Sequence, residues 1–72
     1  MSVLELPLGY AYTFQPTSDV LSQLTRLVDL ERQCCKFLTF NIVVEPGEAP
    51  IRLEVTGPTN AKAVIEEFFG GL

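Results

Sequence analysis

The chain has 72 residues, a hydrophobic content of 47% and a formal net charge of −4, which predicts one globular domain over residues 1–72. Its 5 basic residues are scattered, so neither nucleic acid nor an anionic membrane surface is an expected partner. No apolar run approaches the roughly 20 residues of a membrane span, and no signal pattern opens the sequence. We therefore expect a cytoplasmic protein.

A core of this size usually needs support from a disulfide, a metal ion or a partner subunit. The two cysteines, Cys34 and Cys35, are adjacent. Their Cα atoms are therefore about 3.8 Å apart, whereas ordinary disulfides span about 4.4–6.8 Å. A bridge between neighbours also cannot form within regular helix, so we expect support from a second copy of the chain instead.

Hydrophobic periodicity predicts the first two elements. From Leu8 to Gln15, apolar residues alternate with small or polar ones, which predicts a half-buried strand that carries no charge. Residues 1–7 are interpreted as a lead-in to this strand. A helix is predicted to begin near Thr17 or Ser18, which can cap it, and to run to about Phe37 because no Gly or Pro interrupts it.

The second half of the chain predicts two more strands and a helix. Alternation recurs over 39–44 and 51–56, and a turn with Pro-Gly at its centre joins the two segments. A second helix is predicted to begin with Pro58 and to end before Gly70-Gly71, with Ala61, Val64, Ile65 and Phe68 on its inner face.

These elements predict an α+β fold with the order β-α-β-β-α. A right-handed crossover gives a three-stranded sheet in the order 1-3-2 with both helices on one face. This is a truncated ferredoxin-like arrangement, a split β-α-β unit without the last strand that covers the outer edge of the first one. The edge of residues 8–15 should then be bare, which predicts a homodimer through the first strand.

A charged residue interrupts the apolar face of the first predicted helix. When residues 18–38 are placed on a helix, Glu31 falls in the middle of that face, and Cys34 and Cys35 lie on either side of it one turn on. A carboxylate there costs several kcal/mol of desolvation unless it is paired or neutralised. The rest of the face is made by Val20, Leu24, Leu27, Val28 and Leu38.

Three functions compete for this cluster. The two thiols and the carboxylate have the spacing to hold a thiophilic metal ion or metalloid such as Hg(II), Cu(I), Zn(II) or As(III), or a small ligand bound with Tyr10 and Tyr12. Alternatively, the cysteines only pack, Glu31 pairs with a tyrosine hydroxyl or Arg52, and the protein is a non-enzymatic dimerisation or protein-interaction module. Third, Glu31 is the acid or base of an enzyme.

The position of the cysteines favours binding over nucleophilic chemistry. Cys34 and Cys35 follow the negative end of the helix dipole and lie near a carboxylate, and both effects disfavour thiolates. A metal ion displaces the thiol proton, so metal binding is less affected than attack by a thiolate.

One segment carries a family resemblance. The run Glu31-x-x-Cys34-Cys35-x-Phe37-x-x-Phe40, followed by Val44-Glu45-Pro46-Gly47 and Thr56-Gly57-Pro58, resembles a group of small uncharacterised bacterial proteins with an E-x-x-C-C-x-F-x-x-F segment. The group implies no activity. In length and element order the chain is also similar to heavy-metal-associated chaperone domains, but the loop that carries their C-x-x-C contains no Cys here. The adjacent cysteines are also similar to those of mercury-handling proteins.

Overall fold

A computed structural model describes the backbone of residues 2–69 and the side chains of residues 2–67. Over this range the protein is α+β, with four strands and two helices. In chain order these are β1 (Ser2–Leu6), β2 (Gly9–Phe14), α1 (Ser18–Cys34), β3 (Thr39–Val43), β4 (Ile51–Thr56) and α2 (Ala61–Phe69).

The strands form one antiparallel sheet in the order β1-β2-β4-β3. The prediction of three strands in the order 1-3-2 is therefore wrong. The additional strand is β1, which lies within the segment predicted as a lead-in. It folds back on β2 through a turn at Pro7 and Leu8, with Leu6 opposite Gly9 and Ser2 opposite Thr13.

The prediction of a bare edge along residues 8–15 is also wrong. β2 lies between β1 and β4 and is hydrogen-bonded to both, so it has no free edge for a second copy. In the ferredoxin-like fold this edge position belongs to the last strand, whereas here a strand that precedes the crossover unit occupies it. An ion pair of 2.5 Å between Lys62 of α2 and Glu5 links β1 to the helical layer. Dimerisation itself stays a prediction.

The core lies between one face of the sheet and the two helices. Ile51, Leu53 and Val55 alternate along β4 and are almost fully buried, because Leu24 of α1 and Ile65 of α2 pack against that face. The other face of β4 is polar. No helix within residues 2–69 has both the length and the apolar character needed to cross a membrane.

Both helices are shorter than predicted. Thr17 caps α1 by accepting a hydrogen bond from the backbone of Val20 at 3.2 Å, but the helix ends at Cys34 and not at Phe37. Cys35 leaves the helix with φ −118° and ψ 76°. The second helix begins at Ala61 and not at Pro58; the predicted stop at Gly70-Gly71 lies outside the described residues.

The end of α1 and the start of α2 meet at one end of the sheet. Thr39, the first residue of β3, pairs with Thr56, the last residue of β4. Gly57 follows β4, and a Cβ atom on it would lie only 2.7 Å from the Ala61 Cβ and 3.0 Å from the Leu38 Cδ2. This close approach needs a glycine, because a side chain would push the two segments apart.

Candidate dithiol and carboxylate site

The site consists of Glu31, Cys34 and Cys35, which we call the Glu-Cys-Cys cluster. All three come from the end of α1, where the helix passes into the turn before β3. The two cysteines are not equivalent. Cys34 is the last helical residue and is exposed, whereas Cys35 is 3% exposed and belongs to the core. Both are free thiols.

The surroundings of Cys35 favour its neutral form. Burial is the main cause that raises the pKa of the Cys35 thiol above its ordinary value of 9.0. Charge on Cys34, a hydrogen bond between the two thiols and the Glu31 carboxylate act in the same direction. The expectation of a disfavoured thiolate is confirmed for Cys35, with burial rather than the helix dipole as the main reason.

Glu31 holds an unusual polar atom. Its side chain is half-buried, and Oε2 is the one buried oxygen or nitrogen among the side chains of residues 2–67 that has no hydrogen-bond partner. The proposed pairing with Arg52 is wrong, because Arg52 points to the other face of the sheet. There its Nε donates to Glu54 at 2.8 Å, and its Nη1 lies 3.7 Å from Glu45. The Oε2 atom of Glu31 thus has no hydrogen-bond partner among the described residues.

The cluster is not a preformed metal cage. No group of three or more Cys, Asp or Glu side chains within the described part of the chain is arranged to hold a metal ion. The reason is the different orientation of the members: Cys34 faces solvent, while Cys35 and the Glu31 Oε2 atom face the core. The two thiols come from neighbouring residues, so both sulfur ligands lie in the same short segment of the chain. The carboxylate must rotate to become a third.

Tyr10 and Tyr12 belong to a different group of side chains, between β2 and α2. Their ring centroids are 6.4 Å apart, and Lys62 lies 5.7 Å from the Tyr10 ring centroid. Burial raises the pKa of Tyr10, as does its hydrogen bond to Glu66, and the charges of Glu66 and Glu5 add to this. Burial and the Glu66 charge raise the pKa of Tyr12. Sequence reasoning missed the Glu5 contribution because it missed β1.

A cleft lies between the turn after α1 and the start of α2, and none of the three cluster residues lines it. Its volume is about 480 Å³, within the usual range for small-molecule pockets. Phe37, two residues after Cys35, forms one wall and is 50% exposed. The other wall comes from the segment that precedes α2 and from its first turn. The residues of this wall are Pro58, Thr59, Asn60, Ala61 and Val64.

The fold and the cluster together define a class: a small α+β protein with an adjacent pair of free cysteines at a helix end. Comparison with known proteins adds nothing more particular, since no protein-family model, curated protein or solved structure matches the chain.

Proposed function

We propose that this protein binds a thiophilic metal ion or metalloid through Cys34 and Cys35, with the Glu31 carboxylate as a third ligand or counter-charge. We place it in a reducing cytoplasm, where adjacent thiols stay free. The observation that carries the proposal is the buried Glu31 Oε2 atom without a partner, one turn before the two thiols.

An unpartnered buried oxygen is costly, because it loses its bonds to water and gains none in return. The cost is about 1–3 kcal/mol for a neutral group and more for a charged one. A hydrophobic residue in that position would pack at no such cost, as its neighbours on the helix face do. A bound cation supplies the missing partner and turns the cost into binding energy, which gives a physical reason for the carboxylate.

The unequal exposure of the thiols suits stepwise capture. Cys34 is exposed and meets the ion first, and Cys35 then binds it from the core side. Each thiol loses its proton to solvent as its bond to the ion forms, so the raised pKa of Cys35 weakens binding at low pH without preventing it. Soft ions are the best candidates because two sulfur ligands dominate the site.

The test is ion binding to the reduced protein, measured by native mass spectrometry and thermal melts with Hg(II), Cu(I), Zn(II) and As(III). We expect one ion per chain for at least one of these, and about 2.7 kcal/mol of added stability at a hundredfold excess over the dissociation constant. Cys34→Ser and Cys35→Ser should each weaken binding sharply, and Glu31→Gln should weaken it less. Unaltered melts with all four ions would remove the proposal.

The second candidate is a dimerisation or partner-binding module. The observation in its favour is the exposure of two large apolar side chains near the cysteines, Leu30 at 60% and Phe37 at 50%. In that case Cys35 serves only the core. The same native mass spectra decide between the two, because the module predicts a mass near twice 8.0 kDa without an ion. Such a dimer needs a surface other than the edge of β2, which β1 covers.

A further inference from the structure

We propose that Cys34 and Cys35 form a reversible vicinal disulfide that opens and closes the Glu-Cys-Cys cluster. Only the consequence for ion binding rests on the proposed function; the bond itself can be tested without any ion. The observation behind it is where α1 ends. A helix that continued to Phe37 would exclude such a bridge, whereas the actual helix ends between the two sulfur-bearing residues.

The backbone departs from helical geometry at Cys35. Cys35 has φ −118° and ψ 76°, so the peptide unit between the two residues is not locked in helical geometry on both sides. The two thiols belong to neighbouring residues, and the Cys34 thiol is exposed to an oxidant in solution. One constraint holds Cys35 at the helix end: its backbone N–H donates to the Glu31 carbonyl at 2.7 Å. This cap bond is the local structure that ring closure disturbs.

The strain of the ring makes the bond reversible. Adjacent Cα atoms are about 3.8 Å apart, closer than in ordinary disulfides, and strained disulfides are the more easily reduced ones. The chain has 2 cysteines in all, so an exposed thiol and its resolving partner lie next to each other and no distant cysteine competes. This arrangement favours a labile bond over a structural one.

The oxidant is a low-molecular-weight disulfide, RSSR. The Cys34 thiol, after losing its proton to solvent, attacks one sulfur of RSSR; a Cys34–S–SR bond forms, the S–S bond of RSSR breaks, and the leaving thiolate takes up a proton. Cys35 then attacks the Cys34 sulfur in the same way and releases the second RSH. The two cysteines lose two electrons in total, and RSSR is reduced to two thiols.

Oxidation removes both sulfur ligands at once. In the disulfide neither sulfur carries a proton that an ion can displace, so the cluster keeps only the Glu31 carboxylate. The oxidised protein is therefore expected to release a thiophilic ion, and a dithiol reductant restores binding. The second step is the slow one, since burial of Cys35 disfavours the attacking thiolate.

The experiment uses the reduced full chain, oxidised glutathione and intact-mass analysis after acid quenching. We expect most wild-type chains to become monomers that have lost two hydrogen atoms and that dithiothreitol restores. Cys35→Ser and Cys35→Ala should stop at the glutathione adduct on Cys34. Cys34→Ser should stay largely reduced, because Cys35 is 3% exposed.

A stable glutathione adduct on wild-type protein, or covalent dimers in place of the closed monomer, would overturn the inference. The wild-type result decides this even if a variant fails to fold. Ion binding to the reduced protein is scored separately. If the disulfide forms but no ion binds, the proposed function is wrong and the disulfide proposal stands. If an ion binds but the disulfide does not form, the proposed function stands and the disulfide proposal is wrong.

Discussion

Replacing Glu31 with leucine should stabilise the ion-free protein, although the substitution removes a charged residue from a helix. The Glu31 Oε2 atom is buried without a partner, and Leu24 and Leu38 lie in the core that α1 helps to form. Leucine matches these neighbours and has nearly the same helix propensity as glutamate. The substitution therefore removes the cost of the buried oxygen and adds apolar contact.

The magnitude follows from the unsatisfied group. Removing a buried polar atom without a partner recovers about 1–3 kcal/mol. We use the lower half of this range, because the Glu31 side chain is only half-buried. In a domain of this size, each 1 kcal/mol shifts the melting temperature by about 4–8 °C. Glu31→Leu should therefore melt several degrees above the wild type.

The assay is thermal unfolding followed by circular dichroism, under reducing conditions and with a chelator present. Glu31→Gln tests the charge alone, because it keeps the shape and still leaves a buried polar atom; we expect a smaller change than for leucine. Gln23→Leu is the matched control, since Gln23 lies on the exposed side of the same helix. It should shift the melting temperature little in either direction.

A Glu31→Leu variant that melts below the wild type would refute the reasoning. It would mean that the carboxylate stabilises the fold through a water molecule or a charge. Glu31 would then have no energetic reason to be an incomplete ligand site, because its buried oxygen would carry no cost.

Two further predictions concern pH and the attachment of β1. The pKa of Cys35 is raised in the folded protein, so the stability contributed by its neutral thiol is complete below its unfolded value of 9.0 and is lost as the pH rises through the folded value. The pKa of Tyr12 is also raised in the folded protein, so the stability that its neutral hydroxyl contributes is lost as the pH rises beyond its unfolded value of 10.0. The urea concentration at the unfolding midpoint should therefore fall as the pH rises above about 9. The fall should be less steep for Cys35→Ala, which lacks the thiol. Lys62→Met should cost about 0.5–1.5 kcal/mol and speed amide exchange in β1, because Lys62 pairs with Glu5 and lies over Tyr10.

Each of these has a control. Lys36→Met changes the same charge at an exposed position of the turn after α1, and β1 exchange should not respond to it. If both lysine variants affect β1 equally, the effect comes from net charge and not from the contact with Glu5. For the alkaline transition, equal slopes for the wild type and Cys35→Ala would show that the tyrosines alone cause the loss.

Much of the sheet could be predicted because its central strands alternate clearly. The strand predicted over 51–56 is observed as Ile51–Thr56, and the prediction over 8–15 includes Gly9–Phe14. In both, one face meets the helices, so burial imposes a period of two on the sequence. Alternation has this predictive value wherever a strand is covered on one side only.

β1 could not be recognised in the same way, because it is an edge strand. Val3 and Leu4 point to opposite faces, yet they are 54% and 64% exposed. Burial thus imposes no clear pattern on either face. Its turn is equally uninformative: two-residue hairpins usually need positive φ and favour Asn-Gly, whereas this one is Pro7-Leu8, and no described residue other than glycine has positive φ.

The site was predicted in part. The helical pattern indicated that Glu31 enters an apolar environment, and its Oε2 atom is indeed buried. The unequal exposure of the two cysteines was not foreseen, since it depends on the helix ending at Cys34. No Gly or Pro marks that end. Beyond that end, Leu38 returns to the core, where it is 8% exposed.

The order of the strands also bears on how quickly the fold can assemble. Two of the three strand pairings, β1 with β2 and β3 with β4, join neighbours along the chain, and only β2 with β4 joins distant segments. Local hairpins close within microseconds, whereas distant pairings must first meet the entropy of closing a long loop. Two preformed hairpins that dock through their inner strands leave a single slow encounter. A ferredoxin-like chain adds its edge strand last, so that strand must pair with a distant segment, which makes a second slow encounter.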